Sequence, residues 1–253
     1  MLRNLLCMVT TAVWSAILFP LACLAVLTPG GSGSVWVVRK LWAPVLLWVA
    51  GARLEVEGLE NVDPRRATLY ASNHQSTLDI PALLVALPVN LRFVAKEQLR
   101  WVPFIGWYLQ LTGHVIVDRG NRTRAIASLE RAAAHIARRS LSLIVFPEGT
   151  RSPDRRILPF KHGPFGLALK AQVPVAPVTI EGTAVVMPRR SWRITPGTIR
   201  VRIGPPVDVR SFDAEDRAGL AQTVRAQVVE ASVALGGRGG VPPDSAPSPQ
   251  PML

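Results

Sequence analysis

The sequence predicts an α/β domain, a central and mostly parallel sheet layered between helices, preceded by an N-terminal hydrophobic helical hairpin. Three observations predict it. From about Leu54 onward, short apolar runs of strand length alternate with longer helical segments, the signature of a layered α/β architecture. The runs LSLIVF (141–146) and VPVAPVTI (173–180) are apolar throughout, without alternation, as expected of strands covered on both faces. The first fifty or so residues carry two apolar stretches separated by the turn-forming TPGGSGS (28–34).

Leu5–Leu27 contains 23 residues without a charge, long enough for a bilayer that needs about 20. Pro20 would kink such a helix. Arg3 makes a weak start for a secretory signal, but the run exceeds a signal's hydrophobic region and a second apolar stretch follows. In that second stretch Arg39 and Lys40 leave about twelve apolar residues, or roughly 18 Å of helix, short of a core of about 30 Å. Its tryptophans, Trp36, Trp42 and Trp48, suit the membrane interface. Residues 1–52 therefore read as an anchor that spans once or dips into one leaflet. Arg39, Lys40 and Arg53 beside it favour the cytoplasmic face of the cell membrane.

Residues 53–235 read as the folded domain. Strands are expected at RLEVEG (53–58), ATLYAS (67–72), LRFVA (91–95), HVIVD (114–118), LSLIVF, VPVAPVTI and TIRVRIG (198–204). Helices are expected at 78–87, 121–139, 163–172 and 213–235. The two prolines of VPVAPVTIEG suggest a sheet edge or a channel wall, most of it core. Residues 236–253, rich in Gly, Pro and Ser without apolar period, are expected to be a disordered tail.

The net charge of +12 is carried mostly by arginine and suits nucleic acid, anionic lipid or a phosphorylated small molecule. The apolar N-terminus favours lipid, and no nucleic-acid-binding motif accompanies the charge. Cys7 and Cys23 form no Cys-x-x-Cys pair and read as small buried hydrophobes. His114, His135 and His162 do not recur with His74 at metal-ligand spacing, so no metal site is expected. Nucleophile-elbow, Walker and dinucleotide glycine motifs are lacking.

Three stretches carry chemistry. In NHQSTLD (73–79), His74 and Asp79 would diverge on a helix, because five residues turn through about 500°. They meet if His74 lies in the loop before a helix and Asp79 in its first turn, with Ser76 or Thr77 as the cap. That arrangement makes a general base, while a plain cap with an incidental histidine fits the same spacing. FPEGTRS (146–152) follows a strand, where ligands bind in open sheets. There Gly149 allows close approach, Thr150 offers a hydroxyl and Arg151 a forked cation for phosphate, while Glu148 can orient an arginine or accept from a substrate hydroxyl. In GHVIVDRGNR (113–122), Arg119 and Arg122 are phosphate ligands at a helix start or a solvated charge cluster.

Singly these blocks are weak, but their order NHQSTLD, GHVIVDR, FPEGTRS, VPVAPV resembles the four motif blocks of the glycerolipid acyltransferases, specifically the 1-acylglycerol-3-phosphate O-acyltransferase family. The resemblance spans about Leu54 to Pro206, and PFKHG (159–163) adds to it. It implies that His74, held by Asp79, takes the proton from the sn-2 hydroxyl of a lysophospholipid, which attacks an acyl thioester directly. Acyl-CoA or acyl carrier protein would be the donor, with no other cofactor and no metal. It further implies that Arg151 and Lys96 grip the acceptor phosphate with help from Arg119, and that Glu148, Gly149 and Thr150 shape the pocket. The expected partners are thus membrane lipid, lysophosphatidate and the thioester. Another lysophospholipid or a lyso-aminolipid acceptor would use the same base, and a non-catalytic membrane-anchored binding protein is the reading from a different class.

Overall fold

A computed structural model of the chain describes residues 2–28, 31–102, 104–118, 120, 128, 141–189, 191 and 193–241. Its centre is a seven-stranded sheet of β1 (Ala52–Glu57), β2 (Leu69–Ser72), β3 (Leu91–Lys96), β4 (Val115–Val117), β5 (Ser142–Val145), β6 (Val175–Glu181) and β7 (Gly197–Ile203). Each of the seven strand segments expected from sequence forms a strand. Their order is β1-β7-β6-β2-β5-β3-β4, and every pairing is parallel except β6 with β7.

Alternate residues of the central strands point to opposite faces, and both faces are covered. Tyr70 and Ile144 belong to one buried cluster, and Leu69, Ala71, Leu143 and Val145 to another. The first face is covered by α1 (Leu2–Leu24), α2 (Ser32–Ala50), α3 (Asp79–Ala86) and α4 (Ile105–Leu111). The second carries α5 (Gly163–Ala171) and, beyond the short α6 (Thr183–Val186), the long α7 (Arg217–Ala234). This double cover is why LSLIVF and VPVAPVTI read as unbroken apolar runs.

The hairpin is present, but it is not an independent unit. Leu18, Ala22, Val37 and Leu47 lie in the same buried cluster as Tyr70, Leu83 and Ile180. Trp14 donates to the Leu41 carbonyl at 2.9 Å and Trp42 to Ser15 Oγ at 2.9 Å, tying the two helices together. Both are long and apolar enough to cross a membrane, so α2 is longer than its cation-free stretch suggested. They differ in what covers them: 17% of the most apolar window of α1 is buried within the protein, against 44% for α2. The exposed apolar surface of the pair is therefore mainly α1.

Three further expectations change. The Pro-containing β6 is not an edge: it lies between β2 and β7 and is buried along its whole length. Pro177 is tolerated because the β7 ladder is interrupted beside it. Regular pairing ends at Val178–Ile203, the Pro177 carbonyl accepts from Gly204, and contact resumes only at Val175–Val207, so the missing N–H falls at the break. Order extends past Gly236: the Gly239 carbonyl accepts from Ile157 N at 2.8 Å, and Arg225 Nη2 donates to the Val241 carbonyl at 2.8 Å. Residues 242–253 and the helix expected at 121–139, apart from Ser128, lie outside the described residues. Finally, α4 carries no strong sequence signal and was not expected.

Candidate active site

The topology opens a crevice at one point. The connection leaving β2 passes through α3 on the hairpin face, whereas that leaving β5 passes through α5 on the opposite face. Adjacent parallel strands whose connections part in this way leave a gap at their carboxyl ends, the usual ligand position in an open sheet. NHQSTLD leaves β2 there, and FPEGTR leaves β5 beside it.

The two segments lock into each other through backbone groups. Both amide functions of Asn73 pair with β6, donating to the Ile180 carbonyl at 2.9 Å and accepting from Ile180 N at 2.8 Å. His74 N donates to Glu148 Oε1 at 2.7 Å, and its carbonyl accepts from Ser152 N at 2.8 Å. His74 therefore sits in the loop, and Asp79 in the first turn of α3, the placement that lets them meet. The expected cap is replaced: Ser76 Oγ accepts from Leu78 N at 3.3 Å and donates to the Met187 carbonyl at 2.7 Å, so it closes a turn just ahead of the helix.

His74 Nδ1 lies 2.7 Å from Asp79 Oδ2, and that oxygen also accepts from Gln75 N at 2.7 Å and Ser76 N at 2.9 Å. A carboxylate oxygen surrounded by donors accepts a third, so Nδ1 carries the proton and Nε2 presents a lone pair. Asp79 is fully buried, while the His74 side chain keeps 16% exposure. Phe146 stacks on the imidazole at 4.0 Å between centroids and 18° between planes, fixing the ring's second degree of freedom. The arrangement can accept a proton at Nε2 and stabilise the resulting imidazolium.

Glu148 faces inward, not toward a substrate or an arginine in the crevice. It is 4% exposed, and its second oxygen accepts from Leu158 N at 2.9 Å. Burial pushes its carboxyl up to about 8, against the opposing pull of the two backbone donors. The backbone needs it because the His74 and Leu158 N–H groups are otherwise without acceptors in a buried place. Gly149 adopts φ +74°, and a Cβ there would press on the Lys161 side chain at 2.8 Å. Lys161 thus lies over the loop, a cation that PFKHG supplies and that spacing did not assign to the site.

Arg151 Nη1 donates to Thr77 Oγ1 at 2.9 Å, which carries the guanidinium across the crevice to the His74 loop, and its carbonyl accepts from Arg189 Nη1 at 2.8 Å. Thr150 is exposed at the rim. Lys96 is exposed at the carboxyl end of β3, two strands or about 10 Å from β2, level with the start of FPEGTR by the Phe93–Ile144 register. Arg119 and Arg122 lie outside the described residues.

Gln75, Glu181 and Ser232 form a buried support that sequence reasoning missed. Glu181 accepts from Gln75 Nε2 at 2.9 Å and from Ser232 Oγ at 2.6 Å, joining α7 to the His74 loop. Burial raises the Glu181 carboxyl. His114 is remote, at the amino end of β4, where burial and then Arg92 press its ring down to about 3. Among the described residues, no group of three or more His, Cys, Asp or Glu side chains is placed to hold a metal ion.

The chain is similar to known proteins over most of its length. The acyltransferase family model matches residues 53–181. The 1-acyl-sn-glycerol-3-phosphate acyltransferase of Limnanthes alba is 37% identical over 68% of this chain, and this chain spans 60% of that relative's length. The enzyme of that name from Cocos nucifera is 31% identical, over 88% of this chain and 71% of its own. Human 1-acyl-sn-glycerol-3-phosphate acyltransferase alpha is 32% identical, over 80% and 72%. The crystal structure of the 1-acyl-sn-glycerophosphate (LPA) acyltransferase PlsC from Thermotoga maritima superposes with a TM-score of 0.78 at 30% identity, over 95% of this chain and 99% of that one.

Proposed function

The chain belongs to the acyltransferase family, and from that premise we propose that it transfers a fatty acyl group from an acyl thioester to the sn-2 hydroxyl of 1-acylglycerol-3-phosphate, giving phosphatidate for phospholipid synthesis. The observation that carries the reading is the His74–Asp79 pair, 2.7 Å apart in the crevice, with Arg151 held across it by Thr77.

In this reading His74 Nε2 takes the hydroxyl proton as the oxygen attacks the thioester carbonyl carbon. The C–S bond then breaks, and the imidazolium returns its proton to the departing thiolate. Asp79 holds the ring in the right tautomer and stabilises its charged form, work that needs no covalent acyl-enzyme. The thioester supplies the driving force, so no metal or further cofactor is called upon. Arg151 offers a planar fork to the acceptor phosphate, with Lys96 and Lys161 as further point charges. Arg119 is assigned to the same anion by position in its motif block. Gly149 and Thr150 form the pocket wall, and Glu148 acts from beneath by fixing the His74 backbone.

Membrane association follows from the two apolar N-terminal helices. Arg39 and Lys40 within the second helix and Arg53 just after it favour the cytoplasmic side for the domain, where cations are retained. Acceptor and product are amphiphiles, so a crevice beside the bilayer surface meets its substrates without extracting them into water.

The test is thiol release from acyl-CoA by detergent-purified protein, with and without lysophosphatidate, for the wild type and His74→Ala. The expected result is release that requires both the acceptor and His74, with phosphatidate as product. Release without acceptor would make it a thioesterase. Activity only with another lysophospholipid or a lyso-aminolipid would reassign the acceptor, and unchanged activity in His74→Ala would remove the base.

A further inference from the structure

The helical turn Glu97–Trp101 and α4 present an apolar surface that the domain does not use. Trp101 is 79% exposed, Trp107 and Leu111 are each 58% exposed, and Phe104 is 39% exposed. Phe104, Trp107 and Leu111, at spacings of three and four, fall on one face of α4 and its entry. The fold presents them there by a tight reversal: a Cβ at Gly106 would collide with the Arg100 carbonyl, so only glycine allows the helix to start so close to the preceding turn. Phe104 itself is held at φ +63°, uncommon for a residue with a side chain.

The opposite face of α4 shows where this surface belongs. Tyr108 stacks on Phe19 of α1, with ring centroids 5.6 Å apart and planes 14° apart. The outer face of α1 is bare apolar side chain, including Val9, Val13 and Ile17. The exposed faces of α1 and α4 therefore flank one another. Cations accompany the aromatics: Arg100 lies over the Trp101 ring at 6.0 Å, and exposed Lys96 opens the segment. Tryptophan with arginine and lysine at the border of an apolar face is the composition of a lipid–water boundary.

We infer that the helical turn Glu97–Trp101 and α4 together form a second membrane-contacting element, a wedge that enters the same leaflet as α1, and that its partner is a phospholipid bilayer. The wedge follows directly on Lys96, the last residue of β3, at the carboxyl end of the sheet where the His74 loop also lies. Two contacts, α1 and the wedge, fix the domain's tilt where one helix would leave it free to roll. The crevice mouth is then held at headgroup depth. The inference rests on the membrane association of the hairpin and not on acyl transfer.

The test uses full-length protein reconstituted into phosphatidylcholine–phosphatidylglycerol vesicles with dibrominated acyl chains, which quench tryptophan on contact. Trp101→Phe, Trp107→Phe and their double variant keep an aromatic ring at each position, and far-UV circular dichroism checks each fold. The emission assigned to Trp101 and Trp107, wild type minus double variant, is expected to fall at least twofold on moving from unbrominated to brominated vesicles. If that emission is unquenched while the remaining tryptophans, among them Trp36 and Trp48, are quenched, the wedge is refuted. Crosslinking of one copy to another through this segment in dilute vesicles would assign it to self-association and overturn the inference as well. Trp107→Asp adds a second readout: turnover of a micelle-dispersed short-chain acceptor is expected to stay within twofold of wild type, with at least a tenfold loss on vesicle-embedded acceptor. Equal effects on both would refute it. The quenching requires no turnover, so an enzyme with a different acceptor leaves that measurement intact.

Discussion

Replacing Asp79 by asparagine separates the charge of this residue from its shape. In the wild type one carboxylate oxygen takes three N–H donors, from His74 Nδ1, Gln75 N and Ser76 N, at 2.7, 2.7 and 2.9 Å. An amide oxygen can occupy the same place, so the loop keeps its geometry while each bond loses its charge assistance, about 1 kcal/mol apiece and roughly 3 kcal/mol in all. The amide NH2 then lies where Oδ1 now sits, buried and without a hydrogen-bond partner among the described residues, which adds about 1–3 kcal/mol. Catalysis suffers further, because the imidazolium formed during proton transfer loses its counter-charge; a drop in kcat of about 10²–10⁴ is expected. The assay is acceptor-dependent thiol release at 20 °C, paired with thermal unfolding of the same detergent-purified sample to establish that the variant is folded. A folded Asp79→Asn enzyme within tenfold of wild-type kcat would refute the claim that His74 acts through its pair with Asp79. A large loss of activity with no loss of stability would refute the hydrogen-bond count.

Two more outcomes are expected. Glu148 has its carboxyl raised from an ordinary value near 4.5 to about 8, so the folded state holds more protons than the unfolded one across that range. Its contribution to stability therefore falls as pH rises from about 4.5 to about 8. Glu148→Gln should flatten that slope in unfolding measurements across pH, and cost about 1–3 kcal/mol because its amide NH2 faces the His74 or the Leu158 N–H; an unchanged slope would show that another group is responsible. Arg151→Lys replaces the fork anchored on Thr77 by a point charge, so KM for the phosphorylated acceptor should rise about 10–100-fold with kcat less affected. An unaltered KM would remove Arg151 from the acceptor site.

The His74–Asp79 pair was legible because its two members are close in sequence. They stand five positions apart, and once the helix begins at Asp79 the loop before it and the first turn bring the two side chains together. The strands were legible for a similar reason, since apolar runs bounded by turn residues are local patterns. Glu148 was found but misplaced in role: a carboxylate beside an arginine suggests pairing, and only the neighbouring strand ends show that its oxygens are needed by the His74 and Leu158 amides. Glu181 and Ser232 left no signal, because each meets its partner across more than fifty residues of chain.

By itself, then, the sequence determined the seven strands and the apolar hairpin, which rest on periodicity, and pointed to the His74–Asp79 pair through its short spacing and the order of the motif blocks. The tertiary structure decided the rest. It set the strand order, put proline-bearing β6 inside the sheet, merged the hairpin with the core, and stacked Phe146 on His74. Each of these depends on which distant segments become neighbours. That is settled by burying two sheet faces at once and satisfying every backbone donor on the way, and no local pattern encodes it.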